Sequence, residues 1–375
     1  MTVSAVISGV GLWTPEYGIT NQELVESYNT FAERYNQQHA DAIEKGELAA
    51  KPFSSAEFIE KASGITHRYV YSKEGILDPD IMCPLIPQRD PETLSVQAEI
   101  ALHAARKALA AANKKPEEID AVIVSCAYTI RSYPAIAIEV QQALGAKGFG
   151  FDMLVACSAA TFGLHRAYEM VKAGTAKAVL VINPELTSPQ VNFADRDSHF
   201  IFGDVSTAVV VEQGATAKGD HNYEILSTRA LTHFSNNIRS DFGYLSRSEQ
   251  SDPYGPDKLF HQNGHKVFKE VCPMAAEHIN AHLMDEALTP KDVSRWWLHQ
   301  ANINMNTLIS KKLLGRLPRD EEAPVVLDRY ANTASAGSVI AFSLYHQDLA
   351  AGSIGVLCSF GAGYSIGSLL LKKRA

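Results

Sequence analysis

Two spacings of apolar residues alternate along this chain, one of strand length and one of helical period. Apolar runs at 3–13, 119–125, 149–155, 176–183, 208–212, 296–298, 354–359 and 364–371 predict strands. Apolar positions three and four apart predict helices over 93–113, 134–144, 160–171, 265–283 and 335–349. From Asn21, which can cap a helix, the segment 23–49 is polar with scattered apolar positions and predicts one or two solvent-facing helices. A short alternating strand is predicted over 67–71. Pro79, Pro84, Pro87 and Pro91 make 75–91 a loop, because proline removes a backbone donor and fixes φ.

The second half repeats the grammar of the first. At 113–125 a helix end is followed by Pro-Glu-Glu-Ile-Asp and an apolar strand, and at 288–298 Thr-Pro-Lys-Asp-Val leads into Trp296-Trp297-Leu298. The match in order and length predicts a duplicated α/β unit. The polar stretch 213–221 is the expected boundary, giving halves at 1–213 and 222–375 with insertions near 26–55 and 75–91. A site is expected where strand ends meet at the junction.

One stretch changes period without a loop. Residues 149–155 read as a buried strand, and after Ala156-Cys157-Ser158 the helical pattern begins at once, closing at Gly174. Cys157 thus falls on a strand-to-helix turn, where unpaired N–H groups and the helix dipole are expected to lower a thiol pKa. His299 follows an apolar strand in the same way, and Asn332 stands in Tyr330-Ala331-Asn332-Thr333. Thiolate, imidazole and amide together can attack a thioester and hold an oxyanion. In the small-residue turn 360–363, the Gly363 N–H is expected to join that of Cys157 as the oxyanion hole.

Composition narrows the class. The net charge of −8 disfavours nucleic-acid binding. Five scattered cysteines without a CxxC pair fit neither a disulfide framework nor a zinc site, and point to the cytoplasm. No run approaches a membrane span and no signal peptide is expected. The pairs His261/His265 and His278/His282 have an i,i+4 spacing but no HExxH glutamate, so no metal site is expected. Cys126, Cys272 and Cys358 are expected to be core residues.

The ordered set Ala156-Cys157-Ser158, Ile201-Phe202-Gly203-Asp204, His299-Gln300-Ala301-Asn302, Tyr330-Ala331-Asn332-Thr333 and Phe360-Gly361-Ala362-Gly363 resembles the beta-ketoacyl-acyl carrier protein synthase III family. The resemblance implies a thiolase-like α/β fold, two duplicated halves with stacked sheets in five αβαβα layers. It implies that Cys157 accepts an acyl group from acyl-CoA and that His299 and Asn332 support decarboxylation of malonyl-acyl carrier protein. The carbanion then attacks the Cys157 thioester, in fatty acid biosynthesis, with coenzyme A thioester as substrate and no cofactor. It also implies a homodimer and carrier-protein docking, here by Lys266, Lys269, Lys311 and Lys312.

Departures from the family pattern point to the starter. Phe58 and Ala62 stand where the family has the Trp and Arg that sandwich adenine, while Arg196 matches its second adenine-contacting Arg. Phe202 and Asn302, within the shared motifs, are further expected substrate contacts. Tyr133 lies in the loop that, in this family, reaches the partner's acyl pocket. With the longer 26–55 and 75–91 segments, these changes lead to the expectation of a medium-chain starter such as octanoyl-CoA. Alternatives are a hydroxymethylglutaryl-type, ketide or head-to-head synthase, and a Cys-His-Asn thiol hydrolase.

Overall fold

A computed structural model describes residues 3–375. The first half contains β1 (Ala5–Trp13), β2 (Tyr17–Thr20), α1 (Asn21–Gln38), α2 (Ala40–Glu44), α3 (Ala56–Ser63), β3 (His67–Val70), α4 (Val96–Ala111), β4 (Ala121–Cys126), α5 (Ile136–Leu144), β5 (Phe149–Leu154), α6 (Ala159–Ala173), β6 (Ala178–Glu185) and β7 (Val205–Gln213). The second contains β8 (Tyr223–Ser235), β9 (Ile238–Arg239), β10 (His261–Gln262), α7 (Gly264–Asp285), β11 (Val293–Leu298), α8 (Ile303–Leu314), α9 (Leu327–Tyr330), α10 (Ala336–Leu344), β12 (Ile354–Gly361) and β13 (Gly363–Lys373).

Pairing repeats between the halves. In the first, β5-β4-β6-β7-β1 has β4 parallel to β6 and the other inner pairs, β6–β7 and β7–β1, antiparallel. In the second, β11-β12-β13-β8 has the same relations, β11 parallel to β12, then two antiparallel pairs. A 3-10 turn beginning at proline precedes both β4 and β11, at Pro116–Glu118 and Pro290–Asp292. Among the described residues, the blocks join into one nine-stranded array only through Val6↔Glu224 and Ile7↔Tyr223.

Helices form the remaining layers. α4 and α5 cover one block and α7 packs on the other, while α6 and α10 touch strands of both. α10 is apolar around most of its circumference, so only a position between two sheets can bury it. α6 makes a close approach to each block. A Cβ on its Gly163 would lie 2.8 Å from Ser125 Cβ of β4, and one on Gly367 of β13 would lie 2.4 Å from Thr161 Oγ1 of α6. The central core therefore draws on both halves, with Leu164 and Val171 of α6, Ile340 and Phe342 of α10, and Trp297 and Leu369 from the second block.

Several local expectations change. Thr20, not Asn21, caps α1: its hydroxyl accepts the Glu23 N–H while Glu23 reaches back to the Thr20 N–H. Asn21 is buried instead, its Oδ1 accepting from the fully buried Arg68. β5 is an edge strand with Phe149 and Leu154 exposed, rather than a buried one, because only β4 pairs with it. β8 has no counterpart in the predicted pattern, since beyond Ile225 it carries a polar, partly exposed sequence that only its register with β13 holds extended. His278 and His282 both hydrogen-bond Ser368 Oγ, at 2.9 and 2.7 Å, and are buried hydrogen-bonding groups.

Candidate active site

Cys157 lies in the 3-10 turn Ala156–Ser158 between β5 and α6. Ala156 has φ 44°, a region an alanine occupies only when its surroundings force it. Ser158 supplies one anchor, its hydroxyl donating to Ser365 O at 2.8 Å. The other is steric: a Cβ at Gly361 would lie 2.5 Å from Cys157 Cβ and 3.1 Å from Sγ. Only a glycine lets the end of β12 reach the cysteine.

Two backbone N–H groups favour the thiolate form of Cys157, that of Ala362 and its own. Gly363, expected in that role, is exposed and pairs with Ser235 of β8, so the donor is one residue earlier. The alternation of a strand explains the difference, because adjacent backbone groups point to opposite sides. Burial, with a further push from the Glu185 carboxylate, raises the thiol pKa to about 12 despite both donors. The shift is upward, opposite to the lowering expected from the helix end.

His299 follows β11 and is buried, its ring edge-on to Phe360 with centroids 5.2 Å apart. Burial lowers its pKa to about 3, so the imidazole is neutral. Its Nδ1 is enclosed without a hydrogen-bond partner. The next residue, Gln300, locks this corner: Oε1 accepts the Val326 and Leu327 N–H groups at 3.0 and 3.2 Å, and Nε2 donates to Leu298 O at 2.9 Å.

Asn332 is bracketed by the Ile201–Asp204 segment. Its N–H donates to Ile201 O at 2.9 Å and its carbonyl accepts the Gly203 N–H at 3.1 Å. Asp204 fixes that segment by accepting from Tyr71 N, Thr187 N, Ser188 N and Ser188 Oγ, at 2.7–2.9 Å. Asn332 Oδ1 accepts the Ala334 N–H at 3.0 Å. A backbone N–H can only donate, so this bond assigns the amide oxygen and leaves Nδ2, with its two protons, as the other end.

Cys157, His299 and Asn332 line one cavity of about 680 Å³. Phe202 lines it, packed edge-on to Phe260. Asn302 lines it too, but both ends of its amide are engaged, Oδ1 capping α8 at Asn304 N and Nδ2 donating to Ala62 O. Phe58 and Arg196 do not line the cavity; they stack on each other, the guanidinium 3.7 Å from the ring centroid, with Phe58 edge-on to the lining residue Phe200. Tyr133 is 78 % exposed and does not line this cavity.

Lys266 and Lys269 on α7 and Lys311 and Lys312 on α8 are exposed and form no salt bridge among the described residues, and the two helices pack together. Sequence reasoning missed Phe260, Phe268, Val271 and Met305 as apolar lining, and His265 at the rim. Helical and strand periodicity marks such residues only as apolar, since core and cavity wall look alike in one dimension. Among the described residues there is no group of three metal-ligating side chains, and no helix is long and apolar enough to cross a membrane.

Stacked α/β blocks around two central helices, with cysteine, histidine and asparagine at the junction, define a thiolase-fold acyltransferase. The comparisons narrow this. The family described as 3-oxoacyl-[acyl-carrier-protein] synthase III matches residues 151–232, and its C-terminal part matches 283–373. The chain is 56% identical over 350 residues to a beta-ketodecanoyl-[acyl-carrier-protein] synthase of Pseudomonas aeruginosa, covering 93% of this chain and 100% of that one. It is 32% identical to a beta-ketoacyl-[acyl-carrier-protein] synthase III of Methylococcus capsulatus, over 88% and 94% of the two chains. The crystal structure of 3-oxoacyl-[acyl-carrier-protein] synthase III from Aquifex aeolicus superposes with TM-score 0.75 at 25% identity, covering 99% of both chains. The chain belongs to the beta-ketoacyl-acyl carrier protein synthase III family and is a condensing acyltransferase.

The Gly361 contact makes a direct prediction. G361A should displace the Cys157 side chain and slow its acylation by about 100-fold, the scale set by misplacing a reacting group by an ångström. Single-turnover acylation with an unchanged far-UV circular dichroism spectrum checks it, and a near-wild-type rate contradicts it.

Proposed function

We propose that this enzyme condenses a medium-chain acyl group, delivered as octanoyl-CoA, with malonyl-acyl carrier protein to give 3-oxodecanoyl-acyl carrier protein, CO₂ and free coenzyme A. The observation that carries the chemistry is the Asn332 amide, its oxygen engaged, beside neutral His299 and Cys157 in one cavity. The chain length is supported by the likeness to the Pseudomonas aeruginosa beta-ketodecanoyl enzyme.

In this reading Cys157 loses its proton as it attacks the octanoyl thioester, while its own N–H and that of Ala362 hold the oxyanion. Coenzyme A leaves with the proton, and the acyl group stays on sulfur. The malonyl thioester then loses CO₂, and its electron pair is held as an enolate by the Asn332 Nδ2–H and by a proton on His299 Nε2. The unpaired Nδ1 favours that tautomer, because an enclosed N–H there would lack an acceptor. The enolate carbon attacks the Cys157 thioester and expels the thiolate, which takes up a proton from water to restore the resting thiol. Decarboxylation drives the bond formation, so the proposed reaction calls for no cofactor. Phe58 and Arg196, stacked next to the lining residue Phe200, would meet the coenzyme A headgroup.

The reading extends to partners and organisation. The four lysines of α7 and α8 form the docking surface for an acidic carrier protein. The unpaired edge of β5, with Phe149 and Leu154 exposed, forms a homodimer that brings exposed Tyr133 toward the other subunit's cavity. Residues 1–213 and 222–375 act as the two halves, with β7 ending at Gln213 and β8 starting at Tyr223. Free cysteines suit a reducing cytoplasm.

Intact-mass spectrometry tests the chemistry. Octanoyl-CoA should leave an octanoyl group on Cys157, absent in C157A, that persists until malonyl-carrier protein discharges it as the 3-oxodecanoyl product. An equally rapid acetyl adduct would remove the chain-length assignment, and spontaneous loss to octanoic acid would favour a hydrolase. For docking, K266E/K269E/K311E/K312E should raise KM for malonyl-carrier protein by about tenfold or more and leave acylation unchanged; an unaltered KM contradicts it. For assembly, sedimentation should show a wild-type dimer and an L154K monomer, whereas a monomeric wild type sinks the β5 interface.

A further inference from the structure

Glu185 ends β6, and its carboxylate is buried 1 % exposed between two segments that the reaction as described does not connect. Oε2 accepts the Ala127 N–H at 3.1 Å, just past the end of β4. Oε1 accepts the Ser335 N–H at 3.2 Å and also the Ser335 hydroxyl. Ser335 closes the loop 331–335, which holds Ala331 at φ 57° and Ala334 at φ 46°. Alanine is strained at such angles, and the loop persists only if its surroundings fix it. Asn332 lies inside this loop and takes the Ala334 N–H on its own Oδ1.

We infer that Glu185 is a positioning residue for the decarboxylating half of the reaction: by clamping Ser335 it holds the 331–335 loop and aims the Asn332 amide into the cavity. The inference rests on the roles proposed above for Cys157 and Asn332. Glu185 lies near enough to Cys157 for its charge to oppose the thiolate, and burial raises its own pKa to about 7. The titratable groups facing it are Asp204, Tyr128, Cys126 and Cys157, and none is a cation. Removing the carboxylate therefore strands no positive charge. Its effects on the two half-reactions have opposite signs, support for Asn332 and opposition to the Cys157 thiolate.

The experiment separates those half-reactions in full-length E185A and E185Q near neutral pH. Acylation of Cys157 by octanoyl-CoA, followed by intact mass, is expected to be at least as fast as in the wild type. Release of CO₂ from malonyl-carrier protein by the acyl-enzyme is expected to fall about 100-fold in E185A, as for a group misplaced by an ångström. E185Q keeps one acceptor, is nearly isosteric and should fall less; it also serves if E185A does not fold. Adding E185A to N332A should slow decarboxylation no further, because both act through one amide. Equal losses in both half-reactions, or an additive double variant, overturn the inference. If N332A is slow and E185A is not, the inference alone fails. If N332A decarboxylates normally, the role given to Asn332 fails and takes the inference with it.

Discussion

The contact between Cys157 and Gly361 is the constraint on which the site depends. It brings the N-terminal end of α6 against the C-terminal end of β12, so one half of the chain presents the sulfur and the other presents the Ala362 N–H. Neither half contains the arrangement alone. α6 can approach both sheet blocks because glycine or a small side chain stands at each crossing, and α10 completes the layer by burying its apolar surface between them. The junction is thus set by close packing rather than by any single strong bond.

Around it, the buried Asp204, Glu185 and Gln300 are satisfied by backbone groups and hydroxyls instead of by opposite charges. Asp204 and Glu185 accept N–H and hydroxyl donors, and Gln300 uses both ends of its amide. In a region of low dielectric, an unmatched group of this kind would be costly and a matched one has few alternative geometries. These residues fix turns and loop segments that regular secondary structure leaves free. The strained angles at Ala156, Ala331 and Ala334 are tolerated for the same reason.

Burial also decides the electrostatics. It holds His299 neutral and raises the Cys157 thiol pKa, overriding the local attraction of a helix end for an anion. A neutral imidazole can donate a hydrogen bond to developing negative charge without itself requiring a counterion. In the proposed reaction the thiol loses its proton during attack, and the two N–H groups would then matter most as charge appears.

The sequence by itself determined the α/β alternation and singled out Cys157, His299 and Asn332, which the fold brings to one cavity, because local periodicity, proline turns and strand-end motifs are written in neighbouring residues. The reading of Asn21 as a cap failed only because Thr20 with Glu23 satisfies more orphan N–H groups. The tertiary structure alone decided that β5 is an edge, that Ala362 rather than Gly363 faces the sulfur, that His278 and His282 hydrogen-bond Ser368, and that the Cys157 thiol pKa is raised. It also brought Glu185 to Ser335. Each of these depends on which distant backbone lies within hydrogen-bond reach and how much water it excludes, and neither distance nor solvation is encoded in the residues that flank a position.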